Sequence, residues 1–164
     1  MFRRGMDTVV FVAAHEAFED RVIRAEDREC EGWSARLVAA HVIGTDRLLT
    51  ETAARILFGT KLMNGKPATY DAEFLGSDAY LRALADSIGD RCALVEELRR
   101  SRSALVAIVS QLSAADGATA VPARIVDGPR VLVDGPVPFV SLLRTHAGVH
   151  IPAHASEVLE RGFP

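Results

Sequence analysis

The stretch DAYLRALADSIGDRCALVEELRRSRSALVAIVSQL, residues 78–112, decides the fold. Leu81, Leu84, Ile88, Cys92, Val95, Leu98, Leu105, Val109 and Leu112 recur at three- and four-residue steps, interrupted at Arg102. An apolar stripe with that period belongs to a helix. A stripe this long predicts a bundle helix with near-parallel neighbours. Cys92 falls on the stripe and reads as a buried core thiol. Ser77 and Asp78 precede the stripe and can cap the helix.

Toward the N-terminus, residues 60–76 hold Asn64-Gly65, Lys66-Pro67 and Gly76, which read as a loop. Its length is unusual for a compact domain, which suggests that it covers something. Before it, Trp33 and Ser34 open a second helix, Ser34 as N-cap and Trp33 as a staple residue. Leu37, Val38, His41, Leu48, Leu49, Ala53, Ile56 and Leu57 carry its apolar side to Gly59, a plausible C-cap. A first helix is expected from about Asp7 to Asp27, with Val10, Ala14, Ala17, Phe18 and Val22 inward, ended by Cys30, Glu31 and Gly32. Toward the C-terminus, Val121, Ile125, Val126, Val131, Leu132 and Val133 are β-formers, punctuated by Asp127-Gly128 and Asp134-Gly135. They predict a hairpin over 121–137 that must lie against the bundle, because an isolated hairpin is marginal in water. Pro138 suits the first position of a last helix containing Phe139, Leu142 and Leu143, which runs to about Arg161 before Gly162. The expected fold class is all-α: a four-helix bundle with a small β-hairpin inserted before the last helix, in one domain spanning 1–164.

Composition agrees with a globular chain and narrows its partners. The 164 residues are 49% hydrophobic and 25% charged, which excludes disorder and fibre-like low complexity. The net charge of −3 is spread along the chain, so no nucleic-acid footprint is present. No apolar run approaches the roughly 18 residues of a membrane helix. Arg3 and Arg4 precede the short apolar run from Val9 to Ala14, but the run is followed by His15, Glu16 and Glu19 in a helical pattern. The expectation is therefore the first turns of a helix in a cytoplasmic protein, with Cys30 and Cys92 as free thiols.

The five histidines are 15, 41, 146, 150 and 154, and three of them follow at four-residue steps in THAGVHIPAH, residues 145–154. On a helix a four-residue step turns about 40° past a full circle and rises about 6 Å. Neighbouring members then share a face, and two imidazoles can converge on one ion. The three together fan across some 80°, so two are expected to bind and the third to sit beside them. His41 lies on the apolar side of the second helix and is the candidate third ligand. A buried neutral imidazole needs partners for its nitrogens, and a metal is one such partner. Three imidazoles leave a coordination position open, the catalytic rather than the structural pattern. Imidazoles suit zinc, nickel and iron alike.

The residues Trp33-Ser34-Ala35-Arg36-Leu37-Val38-Ala39-Ala40-His41 resemble the opening of the second helix in the DinB-like superfamily. The run from His146 to His154, followed by Ala155-Ser156-Glu157-Val158, resembles that superfamily's last-helix signature. The superfamily includes mycothiol-dependent maleylpyruvate isomerases and other thiol S-transferases. The order of elements resembles it over most of the chain. The resemblance implies a four-helix bundle with a divalent metal, zinc or nickel, held by His41, His150 and His154. It also implies transfer chemistry on a low-molecular-weight thiol such as mycothiol. Pro152 departs from the pattern. It removes a helix hydrogen bond and clashes with the carbonyl of Gly148, at about 3 kcal/mol in an ordinary helix interior. Either a kink still aims both rings inward, or the helix breaks there and the site is rebuilt around His146. At 164 residues the second domain of the isomerases is not expected, so their particular reaction is not implied.

Further residues carry bland readings. Asp46, five residues after His41, is an accessory candidate to orient a ligand or a metal-bound water, but is more simply a solvated partner of Arg47 or of a neighbouring helix. His15 and Glu19 share a face of the first helix and are candidates for an outer shell. Arg99, Arg100 and Arg102 form a basic cluster that reads as a solvated face. Asp127 and Asp134 read as turn residues. The functional expectation is a metal-dependent thiol S-transferase acting on a small electrophile. The alternatives are a metal-dependent hydrolase of the same superfamily, or a non-catalytic helical bundle that binds a small molecule or dimerises. The expected partners are a small-molecule substrate and a second copy of the chain, with neither nucleic acid nor membrane.

Overall fold

The computed structural model describes residues 8–28, 30–62 and 67–163, so Arg3, Arg4, Asp7, Asn64, Gly65 and Lys66 lie outside the described residues. The chain is mostly helical with a small three-stranded sheet. Helix α1 (Val9–Arg24) is followed by α2 (Ala35–Leu62), strand β1 (Tyr70–Asp71), a 3-10 turn (Glu73–Gly76), α3 (Asp78–Ile88) and α4 (Arg91–Val109). The one-turn α5 (Ala114–Gly117), strands β2 (Ala120–Asp127) and β3 (Arg130–Pro138), α6 (Phe139–Thr145), a π-helical turn (His146–His150) and α7 (Ile151–Glu160) complete it. Helix α1 packs on α4 and α7, and α2 packs on α3, α4 and α7. Among the described residues no helix is long and apolar enough to cross a membrane.

Several expectations need correction. Residues 78–112 do not form one helix. Gly89 adopts φ +120°, which L side chains rarely tolerate, and ends α3. Asp90 then caps α4 by accepting a hydrogen bond from the Ala93 N–H at 2.9 Å. The break shifts the seam, so Cys92 is exposed rather than a core thiol. The inward side of α4 is Leu94, Leu98, Ser101, Leu105 and Val109, interrupted by Ser101 rather than by Arg102. In α1 the buried positions are Phe11, His15, Phe18, Glu19 and Val22, while Val10 and Ala17 face outward. Ser34 does cap α2, accepting from the Leu37 N–H at 3.4 Å. Gly59, with φ +68°, kinks α2 rather than ending it. Ser77 caps α3 by accepting from the Tyr80 N–H.

The sheet is larger than the expected hairpin. Strands β2 and β3 pair antiparallel, with Asp127 opposite Arg130 across the Gly128-Pro129 turn and an irregularity between Ile125 and Val126. Strand β1, from the stretch read as loop, pairs parallel with β2, Tyr70 opposite Ala123. Pro138 closes β3 instead of opening the last helix, which starts at Phe139.

Two large apolar clusters fill the helical part, beside a smaller one of Leu37, Ala40, Leu81, Leu84 and Ala85. One gathers Phe18, Val38, Val42, Ile43, Leu94, Leu98, Ile151 and Val158. The other gathers Phe11, Leu49, Ala53, Leu105, Val109, Phe139, Leu142 and Leu143, and takes in Tyr70, Val121 and Ala123 from the sheet. Between them in sequence, on four helical segments, stand the buried polar residues His15, Asp46, Ser101 and His146. This polar layer sets up the site.

Candidate metal centre

Asp46 is fully buried between Ile43 and Leu49 on the inward side of α2, which overturns its reading as a solvated partner of Arg47. Arg47 instead pairs with Glu97 at 2.8 Å. Four contacts reach the Asp46 carboxylate. His15 Nε2 lies 3.0 Å from both oxygens, His146 Nε2 lies 2.8 Å from Oδ1, and the Ser101 hydroxyl donates to Oδ2 at 2.7 Å. A carboxylate offers about four acceptor sites, so it is saturated. Burial alone would raise the Asp46 pKa, but hydrogen bonds from His146 and His15 outweigh it and hold it down to about 2.

His15 completes this layer as a cation. Its Nδ1 is 2.8 Å from the Phe11 carbonyl, which only accepts, and its Nε2 faces the ionised Asp46. Both nitrogens therefore donate, which only the imidazolium can do. Burial opposes that charge, yet the hydrogen bond and charge of Asp46 prevail and raise the His15 pKa. Glu19, the other outer-shell candidate, contacts Arg99 and Arg102 rather than the histidines. Arg100 pairs with Glu97, so the basic cluster is taken up by acids of the fold.

Three further histidines meet beside this layer. The ring nitrogens of His41, His150 and His154 lie within 4.8 Å of one another. His41 Nε2 is 2.9 Å from His150 Nε2, and His154 Nε2 is 3.2 Å from the same atom. The other nitrogen of each ring is engaged. His41 Nδ1 donates to the Leu75 carbonyl at 2.9 Å. His154 Nδ1 faces Glu157 Oε2 at 2.9 Å. His150 Nδ1 is 3.0 Å from His146 Nδ1. His146 Nε2 already donates to Asp46, so in neutral His146 Nδ1 is an acceptor and His150 Nδ1 carries the proton.

The consequence is an arrangement without donors. All three Nε2 atoms present lone pairs toward one point. The 2.9 Å contact of His41 with His150 is acceptor against acceptor. Burial discourages a proton there. It lowers the His41 pKa to about 4, with the nearby charge of His154 adding to it, and it lowers that of His150 well below the usual imidazole range. A cation coordinated by the three lone pairs resolves the conflict. Tetrahedral zinc with Zn–N of about 2.0–2.1 Å sets its nitrogens roughly 3.3 Å apart, a few tenths beyond the distances here.

Local sequence explains the convergence. Ile151 N–H bonds to the His146 carbonyl, five residues back, so the segment from His146 to His150 is a π turn. Pro152 lacks an N–H, and the wide turn absorbs it without breaking the helix, which continues as α7. The wider turn also alters the four-residue step. His146 aims at Asp46, while His150 and His154 aim at His41. On α2, Gly44 lies one turn after His41, and a Cβ there would sit 2.6 Å from Leu75 Cδ2. Its bareness lets the 3-10 turn descend onto α2 and bring the Leu75 carbonyl to His41. Residues 60–76, expected to cover something, thus supply one orienting group.

His154 and Glu157 are partly exposed, so the trio meets solvent on the α7 side. The Trp33 ring stands 5.2 Å from that of His41. The histidine spacing leaves open which two of His146, His150 and His154 converge, and the resemblance names His41, His150 and His154, with His146 and Asp46 as accessory candidates. The sequence pattern misses Leu75, whose contribution is a backbone atom, and Ser101. It also misjudges Asp46, although Asp46 stands three residues from both Ile43 and Leu49 on the apolar stripe. Comparison with family models, with curated proteins and with solved structures returns no match for this chain.

Proposed function

We propose that this chain is a four-helix bundle of the DinB-like type that binds one divalent transition metal, zinc or nickel, through His41, His150 and His154. The observation that carries the reading is the convergence of three Nε2 lone pairs with no donor among them. Each ring is oriented through its other nitrogen, by Leu75, by His146 and by Glu157. Such outer partners are what metal-binding imidazoles require. Three ligands leave a position open to a small molecule.

The activity we propose is thiol S-transfer on a small electrophile, with a low-molecular-weight thiol such as mycothiol, in the cytoplasm. The thiol rests on the sequence resemblance alone. A divalent ion bound here would supply Lewis acidity that favours the thiolate form of a coordinated thiol. The protein's part is positioning. Half-buried His41 and His150 present neutral nitrogens, and the Trp33 ring stands beside that of His41. A metal-dependent hydrolase would use the same residues. The second reading, a non-catalytic bundle that binds a small molecule or pairs with itself, draws support from the polar layer, where histidines do fill a core.

Elemental analysis of protein purified without chelators tests the proposal, beside His41→Ala and His154→Ala variants. About one divalent ion per chain, lost in both variants, is expected. Absence of uptake after dialysis against zinc overturns the metal site and leaves the second reading. Thiol-transfer assays with the loaded protein then separate transferase from hydrolase.

A further inference from the structure

We infer that His146, held by Asp46, is a positioning residue that fixes His150 in the Nδ1–H tautomer and so keeps its Nε2 free for a ligand. This inference rests on the metal site proposed above and assigns a role to a histidine outside it.

The protons around Asp46 are each accounted for. His15 and Ser101 donate to Asp46, and His15 is committed through its other nitrogen to the Phe11 carbonyl. Asp46 therefore has one role left, to accept from His146 Nε2 at 2.8 Å. With its proton on Nε2, neutral His146 turns a bare Nδ1 toward His150 Nδ1 at 3.0 Å. One of two facing nitrogens must donate, and only His150 can. Its proton lies on Nδ1, and its Nε2 points bare at His41 and His154. The hydrogen bond made by one ring nitrogen decides what the other can do. In most metal-binding histidines a carboxylate or carbonyl plays this part directly. Here the buried carboxylate acts through a second imidazole. His41 and His154 obtain the same tautomer from single acceptors, the Leu75 carbonyl and Glu157. His150 lies between them and has no such acceptor, which is why it needs the relay.

Glutamine provides the discriminating substitution. Its amide can donate to Asp46 through nitrogen and accept from His150 through oxygen, and it has no tautomers. Leucine can do neither. The first readout is proton-detected 15N spectroscopy of the histidine rings in metal-free protein, which reports the protonated nitrogen without any activity. The second is the affinity for cobalt(II) by its visible spectrum. Wild type and His146→Gln should carry the His150 proton on Nδ1 and bind cobalt(II) within about threefold of one another. His146→Leu should move the proton to Nε2 in part and weaken binding about 10- to 100-fold. His146→Ala, with room for water, repeats that arm if the leucine variant does not fold. A wild-type His150 protonated on Nε2 overturns the inference, as does an equal loss of affinity in the glutamine and leucine variants. Wild type that shows the Nδ1–H tautomer but takes up no cobalt(II) overturns the metal reading and leaves the tautomer assignment standing.

Discussion

Two histidine clusters lie side by side in this protein and differ in how their hydrogen bonds close. In the layer of His15, Asp46, Ser101 and His146, every acceptor of the carboxylate meets a donor, and all four side chains are buried. In the trio of His41, His150 and His154, three acceptors meet with no donor, partly open to solvent. Both are groups of three or more metal-capable residues, so residue type does not separate them. Proton accounting does. A saturated cluster has no site to offer and serves the fold. An acceptor-only cluster is one that could hold a cation.

The largest expected effect tests the closed side. Asp46→Ala leaves a buried His15 with a charge and no partner, and removal of one member of such a pair costs about 3–5 kcal/mol. Urea unfolding of the metal-free variant measures it, and a loss under about 1 kcal/mol would show that the layer is not the paired unit described. On the open side, His154→Ala should leave metal-free stability close to wild type. Its affinity for zinc should fall more than about 100-fold, or about 2.7 kcal/mol. Calorimetric titration decides, and unchanged affinity would remove His154 from the ligand set.

A third, smaller effect concerns pH. The folded-state pKa of Asp46 is held near 2, below its ordinary value of 3.8, so its contribution is present above pH 3.8 and lost as pH falls toward 2. A carboxyl held that far down contributes roughly 2 kcal/mol when ionised. His15 works in the opposite sense. Its folded-state pKa is raised, so its contribution is complete below pH 6.5 and lost as pH rises through the raised value. Stability of metal-free protein, followed by urea midpoint, should decline at both ends, and Asp46→Asn should flatten both declines. The smallest effect is expected from Pro152→Ala. Pro152 is exposed and its missing donor is already absorbed by the π turn. The change should alter stability by less than about 1 kcal/mol and zinc affinity by less than about threefold. A tenfold loss would show that proline holds the turn that separates the two clusters.

Much of this is legible from local pattern. The helical period of residues 78–112, the Ser34 cap and the hairpin signals around Asp127-Gly128 lead to a helical chain with a β insert. Gly89 escapes notice because the apolar steps continue across it, although its backbone conformation splits the helix. Strand β1 is two residues long and has no pattern of its own, so its pairing with β2 cannot be read locally. His146, His150 and His154 stand out because histidine is rare in the chain and recurs there at helical spacing, His41 because it lies on an apolar stripe, and the choice of His150 and His154 over His146 rests on the family resemblance. Asp46 does not stand out, because a charged residue on an apolar stripe is usually solvated.

By itself, then, the sequence determined that the chain is mainly helical and roughly where the helical segments lie, since these depend on steps of three and four residues. Gly89, Cys92, Val10 and Ala17 show that exact ends and buried faces were not fixed by those steps. The tertiary structure decided which histidines are partners of a carboxylate and which are bare toward one another. That choice depends on a π turn, on a backbone carbonyl brought over Gly44 and on side chains from four helical segments meeting at one level. The proton on each ring is assigned by the group opposite it, which is distant in the chain for His41 and His146, lies across the π turn for His150 and is three residues on for His154.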